Sequence, residues 1–410
     1  AKSCTFSVQF MYLCNRKETN VMDRLQSFYR QKLKETPLEF FRYMYDEVKW
    51  QGRMLGLVGP RGVGKSTMLL QHIKQAGDID HSLYVSADHL YFSEHTLVDL
   101  ADRFVRMGGR HLYIDEIHKY ENWSRELKQI YDSHSDLKVV FTGSSVLDIM
   151  EGKADLSRRA PIYEMQGLSF REYLQLFHHI NVPVFSLDDI VHNRAELPGV
   201  SHPLPYFADY LRRGYYPYAQ DVDFEMELGQ VIGQTMEVDI PKYAKMNASV
   251  GAKLKQLLMV VARSVPFKPV NQKLADVTGI SRNNIADYLL YMERAGMIAQ
   301  LHDSTEGIRS LGKADKLYLD NTNLIYVITP DRADIGNVRE TFFMNQMRVR
   351  QQVVSSKNTD FEIGERSFEV GGRKKGQRQI ADAGEGYVVK DDLETGYGNI
   401  IPLWAFGLNY

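Results

Sequence analysis

The sequence predicts an α/β fold in which a largely parallel sheet is covered by helices. Three observations predict it. Short apolar runs alternate with amphipathic helices from Arg53 to about Leu168. A glycine-rich turn, "GPRGVGKST", joins the first apolar run to the first helix, and a later run, "HLYIDEI", ends in two adjacent carboxylates. Strands separated by helices of this length pair in parallel and are buried on both faces.

In chain order, "RMLGLVG" reads as a strand and "KSTMLLQHIKQ" as the helix after it. "SLYVSAD" is a second strand, and "TLVDLADRFVRMG" a helix with apolar positions three and four apart. "RHLYIDEI", "WSRELKQIYDSH" and "LKVVFTGSS" read as strand, helix and strand, and "APIYEMQGL" supplies a fifth strand. From about Ser169 to Ala244 the strands stop: "SFREYLQLFHHI", "PYFADYLRRGYYPY" and "ELGQVIGQTMEVDI" read as helices punctuated by Pro203, Pro205 and Pro217. "AKLKQLLMVVARSV" is a further helix. The last section combines a helix, "RETFFMNQMRVRQQ", with strands near "DFEIGE", "RSFEVGG" and "EGYVVKDD".

Composition narrows the class. A chain of 410 residues is too long for one core. Apolar residues at 44% and charged residues at 25% are those of an ordinary globular protein. A formal charge of −2 excludes a wholly basic nucleic-acid coat protein but not a local basic surface. The cysteines, Cys4 and Cys14, supply neither a disulfide framework nor a metal cluster, which predicts a reducing, cytoplasmic setting. No apolar run approaches the ~18 residues of a membrane span. "FSVQFMYLC" is too short and too polar at Gln9 for a secretory signal, and Met22 is an alternative start.

The chemistry is concentrated in two motifs. Gly59, Gly64, Lys65 and Ser66 fill the pattern G-x-x-x-x-G-K-[ST] within Gly59-Pro60-Arg61-Gly62-Val63-Gly64-Lys65-Ser66-Thr67. Glycines let consecutive amides curl inward as a nest for phosphate oxygens, and the following helix adds its positive end. Lys65 would pair with the β- and γ-phosphates of ATP, and Ser66 would ligate Mg²⁺. Asp115, at the end of an apolar strand, would hold the same ion through its water shell, while Glu116 would polarise a water for attack on the γ-phosphate. That adjacent glutamate favours hydrolysis over phosphoryl transfer. A hydroxyl in "FTGSS", Thr142 or Ser144, would act as a sensor of the γ-phosphate or cap the next helix. Arg159 of "LSRRA" would reach a neighbouring subunit's phosphate as a finger, implying a homo-oligomer, or would pair on the surface with Asp155 or Glu164.

"GPRGVGKST", "LYIDEIHKYENW", "FTGSS", "DLSRRAPIYEMQGLSFREYL" and "RRGYYPY" together resemble prokaryotic AAA-type P-loop ATPases with a C-terminal domain of undefined role, often described as nuclease-like. "FEVGGRKK" and "GYGNIIPLWAFG" extend the resemblance from about Leu25 to the end. It implies an additional-strand AAA core, a helical segment, a winged helix and a restriction-endonuclease-like domain. The expected organisation is therefore an N-terminal extension (1–27), a P-loop NTPase core (28–168), a helical lid segment (169–250), a winged helix-turn-helix (251–322) and a small α+β nuclease-like domain (323–410).

In "KLADVTGISRNNIADYLLYMERAGMI", Leu274, Ala275 and Val277 would face inward, Thr278 and Gly279 would make the turn, and Ser281 would cap a second helix. Its exposed start, Arg282, Asn283 and Asn284, suits base edges or phosphates. From Gly251 to Leu301 seven Lys/Arg stand against three Asp/Glu, which favours a polyanion such as DNA. A metal-dependent endonuclease of the implied fold needs an aspartate and then Glu-x-Lys. Asp360 and Glu369 fit the acidic positions and Glu340 adds a third carboxylate, but Gly371 stands where the lysine belongs. Arg373, Lys374, Lys375 or Lys390 would have to supply the cation, so a degenerate second site binding phosphate backbones through "GGRKKGQR" is expected. The histidines His72, His89, His111, His118, His178 and His179 show no ligand spacing and read as structural. The sequence thus predicts Mg²⁺-dependent ATP hydrolysis coupled to a DNA-directed C-terminal half. Its rivals are an ATP-dependent switch for a protein partner and an ATP-gated nuclease.

Overall fold

The computed structural model describes residues 22–143, 156, 158–244, 246–247, 249–264, 268–303, 314–372, 380 and 384–410. The chain divides into two units: residues up to Gly59 with Gly64–Met165, and Pro60–Val63 with Gln166–Tyr410.

The first unit opens with a helix over residues 22–35 (α1), which buries Met22, Leu25, Tyr29 and Leu33 along one stripe. There follow β1 (Met54–Val58), α2 (Lys65–Ala76), β2 (Ser82–Ser86), α3 (Leu97–Arg106), β3 (His111–Asp115), α4 (Trp123–Ser133), β4 (Lys138–Gly143) and β5 (Ile162–Glu164). All five strands are parallel, in the order β2-β3-β4-β1-β5. β4 therefore lies between β1 and β3, the extra strand that the resemblance implied. Every residue of β1 is buried, as a strand covered on both faces requires. Local signals set the helix ends. Thr96 and Asp99 form a reciprocal capping box at the start of α3, and Gly77 at φ 75° closes α2.

The second unit contains α5 (Phe170–His178), α6 (Leu204–Arg213), α7 (Phe224–Gln234), α8 (Val250–Ser264), α9 (Asn271–Thr278) and α10 (Arg282–Arg294). A π-helical turn, Thr235–Asp239, continues α7. An antiparallel pair, β6 (Ile298–Leu301) and β7 (Lys316–Leu319), follows α10. Then come α11 (Thr322–Ile328), α12 (Ile335–Met347), β8 (Val354–Ser355), β9 (Phe361–Ile363), β10 (Arg366–Gly371), β11 (Glu385–Lys390) and β12 (Ile400–Pro402). These last strands form a mixed sheet, order β12-β11-β10-β9-β8, with β10, β11 and β12 parallel and β9 antiparallel to both neighbours. In "RRGYYPY" the helix stops at Arg213, and Tyr215 and Tyr216 are buried edge-to-face at 5.1 Å, so these rings are packing residues.

Two local expectations fail. Val277 is 56% exposed rather than inward-facing. The buried stripe of α9 is Leu274, Ala275 and Thr278, and Val277 lies about 100° round the helix from its centre. Ser281 occupies the N-cap of α10 but makes no side-chain cap, because its own carbonyl already accepts from Asn284 N at 2.9 Å. Ile285, Tyr288, Leu289 and Met292 are buried at the expected helical spacing. Among the described residues no helix is long and apolar enough to cross a membrane.

Candidate functional site

β1 ends in the glycine-rich loop. Gly59 has φ 149°, and a Cβ there would stand 2.1 Å from the Met165 carbonyl oxygen, so no other residue fits beside β5. Gly64 has φ 99° and is the N-cap of α2, turning the chain so that the amides of the first helical turn face the loop. Lys65 is buried, and its Nζ donates to the Gly59 carbonyl at 2.9 Å. Ser66 and Thr67 follow on the accessible first turn of α2. The intervening Pro60–Val63 group with the second unit, in which Arg61 pairs with Asp239 at 3.1 Å.

β3 brings the acidic couple to the same edge of the sheet. Ile114 is level with Phe141 and Leu57 is level with Thr142, so Asp115, Thr142 and the end of β1 lie in one row. Two strand spacings place the acidic couple about 10 Å from the loop. Asp115 is buried and fully oriented: Tyr84 Oη donates to Oδ2 at 2.6 Å and the Thr142 hydroxyl donates to Oδ1. Burial first, and then the carboxylate of Asp115, hold the Tyr84 phenol far above its ordinary pKa, so it remains a donor. Thr142 also accepts from Glu116 N at 3.2 Å. Glu116 adopts φ 51°, a left-handed conformation uncommon outside glycine, and its side chain is partly exposed. Such a conformation persists where its surroundings over-determine it, and it turns the carboxylate out of the strand direction. His118 Nε2 lies 3.5 Å from Glu116 Oε2, its ring almost wholly buried.

Thr142 is thus the hydroxyl that ties Asp115 to the Glu116 amide, a contact that neither the sensor nor the cap reading of the sequence named. Ser144 lies outside the described residues. His118, read as structural, stands beside Glu116; its signal was its place two residues on in "DEIH". Arg159 makes two bonds of 3.1 Å to Asp132 at the end of α4, a partner the sequence did not suggest; Asp155 lies outside the described residues. Arg53, which immediately precedes β1, lies over the ring of Tyr131, as Arg159 does more distantly. Arg159 therefore sits at the N-terminal edge of the strands, opposite the glycine-rich loop. Arg158 is exposed.

The carboxylates of the second unit meet differently from the expectation. Among the described residues no group of three His, Cys, Asp or Glu side chains could hold a metal ion. The cation facing Glu340 and Asp360 is Lys316, with Nζ 3.4 Å from Glu340 Oε2 and 3.2 Å from Asp360 Oδ1. Tyr318 Oη donates to Glu340 Oε2 at 2.8 Å, and Val370 N donates to Asp360 Oδ2 at 3.0 Å. Burial, and then the charge of Asp360, raise the carboxyl pKa of Glu340. Glu369 is buried on β10. Of the expected cations, Arg373, Lys374 and Lys375 lie outside the described residues. The overlooked signal is the alternation in "DKLYLD", which puts Lys316 and Tyr318 on one face of β7. Arg282, Asn283 and Asn284 are all exposed at the start of α10.

Residues 51–174 match the family model described as AAA domain, and residues 204–333 match that of a domain of unknown function, DUF8612. No curated protein sequence is significantly similar to the chain. Among solved structures, a Walker-type ATPase of Pyrococcus abyssi is 12% identical over 70% of this chain and 95% of its own, TM-score 0.43. AMPPCP-bound DnaA from Aquifex aeolicus is 12% identical over 66% and 88%, TM-score 0.27. The Hsp104–ADP complex of S. cerevisiae is 16% identical over 65% and 37%, TM-score 0.27. The family match and the five-stranded parallel sheet define the class: the first unit has the nucleotide-binding fold of an AAA-type P-loop ATPase.

Proposed function

We propose that this protein is a Mg²⁺-dependent ATPase whose turnover drives a C-terminal module acting on DNA. The observation that carries the hydrolytic reading is the pair Asp115–Glu116, anchored by Thr142 at the end of β3 and one strand removed from the glycine-rich loop. The loop amides and the start of α2 would cradle the phosphates, and Lys65 would exchange the Gly59 carbonyl for phosphate oxygens. Ser66 and Asp115 fit a hydrated magnesium ion, one on an accessible first turn and the other a carboxylate already oriented by two hydroxyl donors. When bound, that ion supplies charge neutralisation at the phosphates. Glu116 would accept the proton of the attacking water. Arg159, at the sheet edge away from its own loop, would serve a neighbouring copy.

The test is a pair of variants. Lys65→Ala should abolish ATP binding, and Glu116→Gln should bind ATP as tightly as wild type without turning over. A Glu116→Gln enzyme hydrolysing at the wild-type rate removes the base assignment.

Three exposed side chains at the start of α10, in a segment rich in Lys and Arg, support DNA as the partner. Retention of labelled duplex that weakens steeply with salt is the expected result. No retention at low salt favours the switch for a protein partner. Strand breaks abolished by Asp360→Ala would favour the nuclease, against which the Lys316–Glu340–Asp360 contacts speak.

A further inference from the structure

We infer that the Arg61–Asp239 ion pair is a nucleotide-sensitive tie: a triphosphate in the glycine-rich loop competes with Asp239 for the guanidinium, and the release is felt at the turn between α9 and α10. The inference rests on the reading of that loop as the nucleotide site, and it adds a route by which the nucleotide regulates the exposed start of α10.

Arg61 stands between Gly59 and Gly64, inside the stretch that would curl round the phosphates. Its Nη2 donates to Asp239 Oδ2 at 3.1 Å, and Gln234 Nε2 donates to Oδ1 of the same carboxylate at 3.3 Å. The side chains of Arg61 and Asp239 are 29% and 14% exposed, so solvent screens the pair less than a surface ion pair. The contact is a single bond rather than the two-pronged fork that makes arginine–carboxylate pairs strong. Arg61 Nε is buried without a hydrogen-bond partner. The guanidinium therefore retains a donor for a second anion.

Asp239 ends the π-helical turn Thr235–Asp239, an irregular kind of turn that recurs at functional sites. The start of α8 is seated on that turn. A Cβ at Gly251 would stand 2.8 Å from Glu237 Cα, and Lys255 Nζ lies 2.8 Å from Glu237 Oε1. The same helix reaches the turn after α9. Lys253 Nζ donates to the Gly279 carbonyl at 2.9 Å, and Gln256 Nε2 donates to the Val277 carbonyl at 2.8 Å. One helix, Val250–Ser264, thus joins the turn that holds Asp239 to the turn that precedes Arg282. Contacts in an unbroken series of this kind can carry a shift from one end to the other.

The sign of the effect follows from charge. Phosphates and Asp239 are both anions that seek the same guanidinium, so bound nucleotide weakens the pair. Linkage is reciprocal: a pair that nucleotide weakens must itself weaken nucleotide binding. Neutralising Asp239 therefore tightens the nucleotide.

The experiment measures, by calorimetry, the affinity for the magnesium complex of a non-hydrolysable ATP analogue in wild type, Asp239→Asn, Arg61→Ala and the double variant. Asp239→Asn is expected to bind about fivefold or more tightly than wild type. The same replacement made in Arg61→Ala should change the affinity little. An Asp239→Asn affinity equal to or weaker than wild type overturns the inference. So does an undiminished gain in the Arg61→Ala background, which would make Asp239 a simple repelling charge. Hydrogen exchange in the wild-type protein needs no variant. Amides over residues 277–284 should exchange faster when the analogue saturates the protein, and unchanged or slower exchange overturns the inference. A wild-type protein that binds no analogue refutes the nucleotide reading itself, whereas normal binding with exchange unaltered refutes only the tie.

Discussion

Thr142 does two jobs with one hydroxyl, donating to Asp115 and accepting from the Glu116 amide. Thr142→Val keeps the shape and deletes both bonds, leaving a backbone N–H and a buried carboxylate short of partners. The expected cost is about 1–3 kcal/mol in stability, read from urea unfolding, together with a fall in kcat at little change in ATP affinity. His72 makes a different prediction. Its ring stacks on Trp50 at 3.9 Å, and burial, then the nearby His111 and Lys138, push its pKa down to about 4 from an ordinary 6.5. The folded protein therefore keeps His72 neutral where the unfolded chain takes a proton. Its contribution is full above pH 6.5 and is lost progressively as pH falls from 6.5 towards 4. Urea midpoints at pH 7 and pH 5 should differ less in His72→Phe than in wild type. At this scale the candidate residues were legible in the sequence but their supports were not. Lys65, Ser66, Asp115 and Glu116 belong to local motifs. The partnerships of Thr142 with Asp115 and of Arg159 with Asp132 each span 27 residues and depend on which elements become neighbours.

Elements were legible in proportion to their length and periodicity. β1 to β4 are five or six residues long, and their apolar runs mark them plainly. β8 and β12 have two and three residues, too few to show a period, and exist because adjacent strands recruit them. The start of α5 was also readable, since Ser169 and Glu172 form the capping box that "SFRE" announces. The structure adds that Ser169 Oγ donates to the Tyr410 carbonyl at 2.8 Å. Ser169→Ala is expected to lower stability by about 1–2 kcal/mol, since a cap and a buried tertiary bond go together. A thermal shift below that of a simple surface substitution would show the cap to be dispensable. Ser281 shows the limit of such signals: the residue type suits an N-cap, and the backbone of the same turn has already satisfied the amide it would serve.

For the whole molecule, the location of Arg159 makes a prediction about assembly. An Arg159→Ala protein retains its loop and acidic couple, and a Lys65→Ala protein retains its arginine. If the finger acts between copies, each is inactive alone and an equimolar mixture recovers part of the wild-type turnover. A mixture as inactive as its components, under conditions where the copies associate, assigns Arg159 to its bond with Asp132. DNA retention provides a second global readout: if the proposed DNA binding holds and Arg282 contacts phosphate, Arg282→Ala should reduce the salt slope by about one.

The ammonium of Lys316 between Glu340 and Asp360 has one more consequence. A positive charge covalently tethered to β7 cannot be stripped by a chelator. EDTA should therefore silence the nucleotide chemistry while leaving the unfolding of the C-terminal half untouched. Lys316→Met, by contrast, would leave Glu340 and Asp360 without their shared cation and should lower the melting temperature of that half at neutral pH, with or without EDTA.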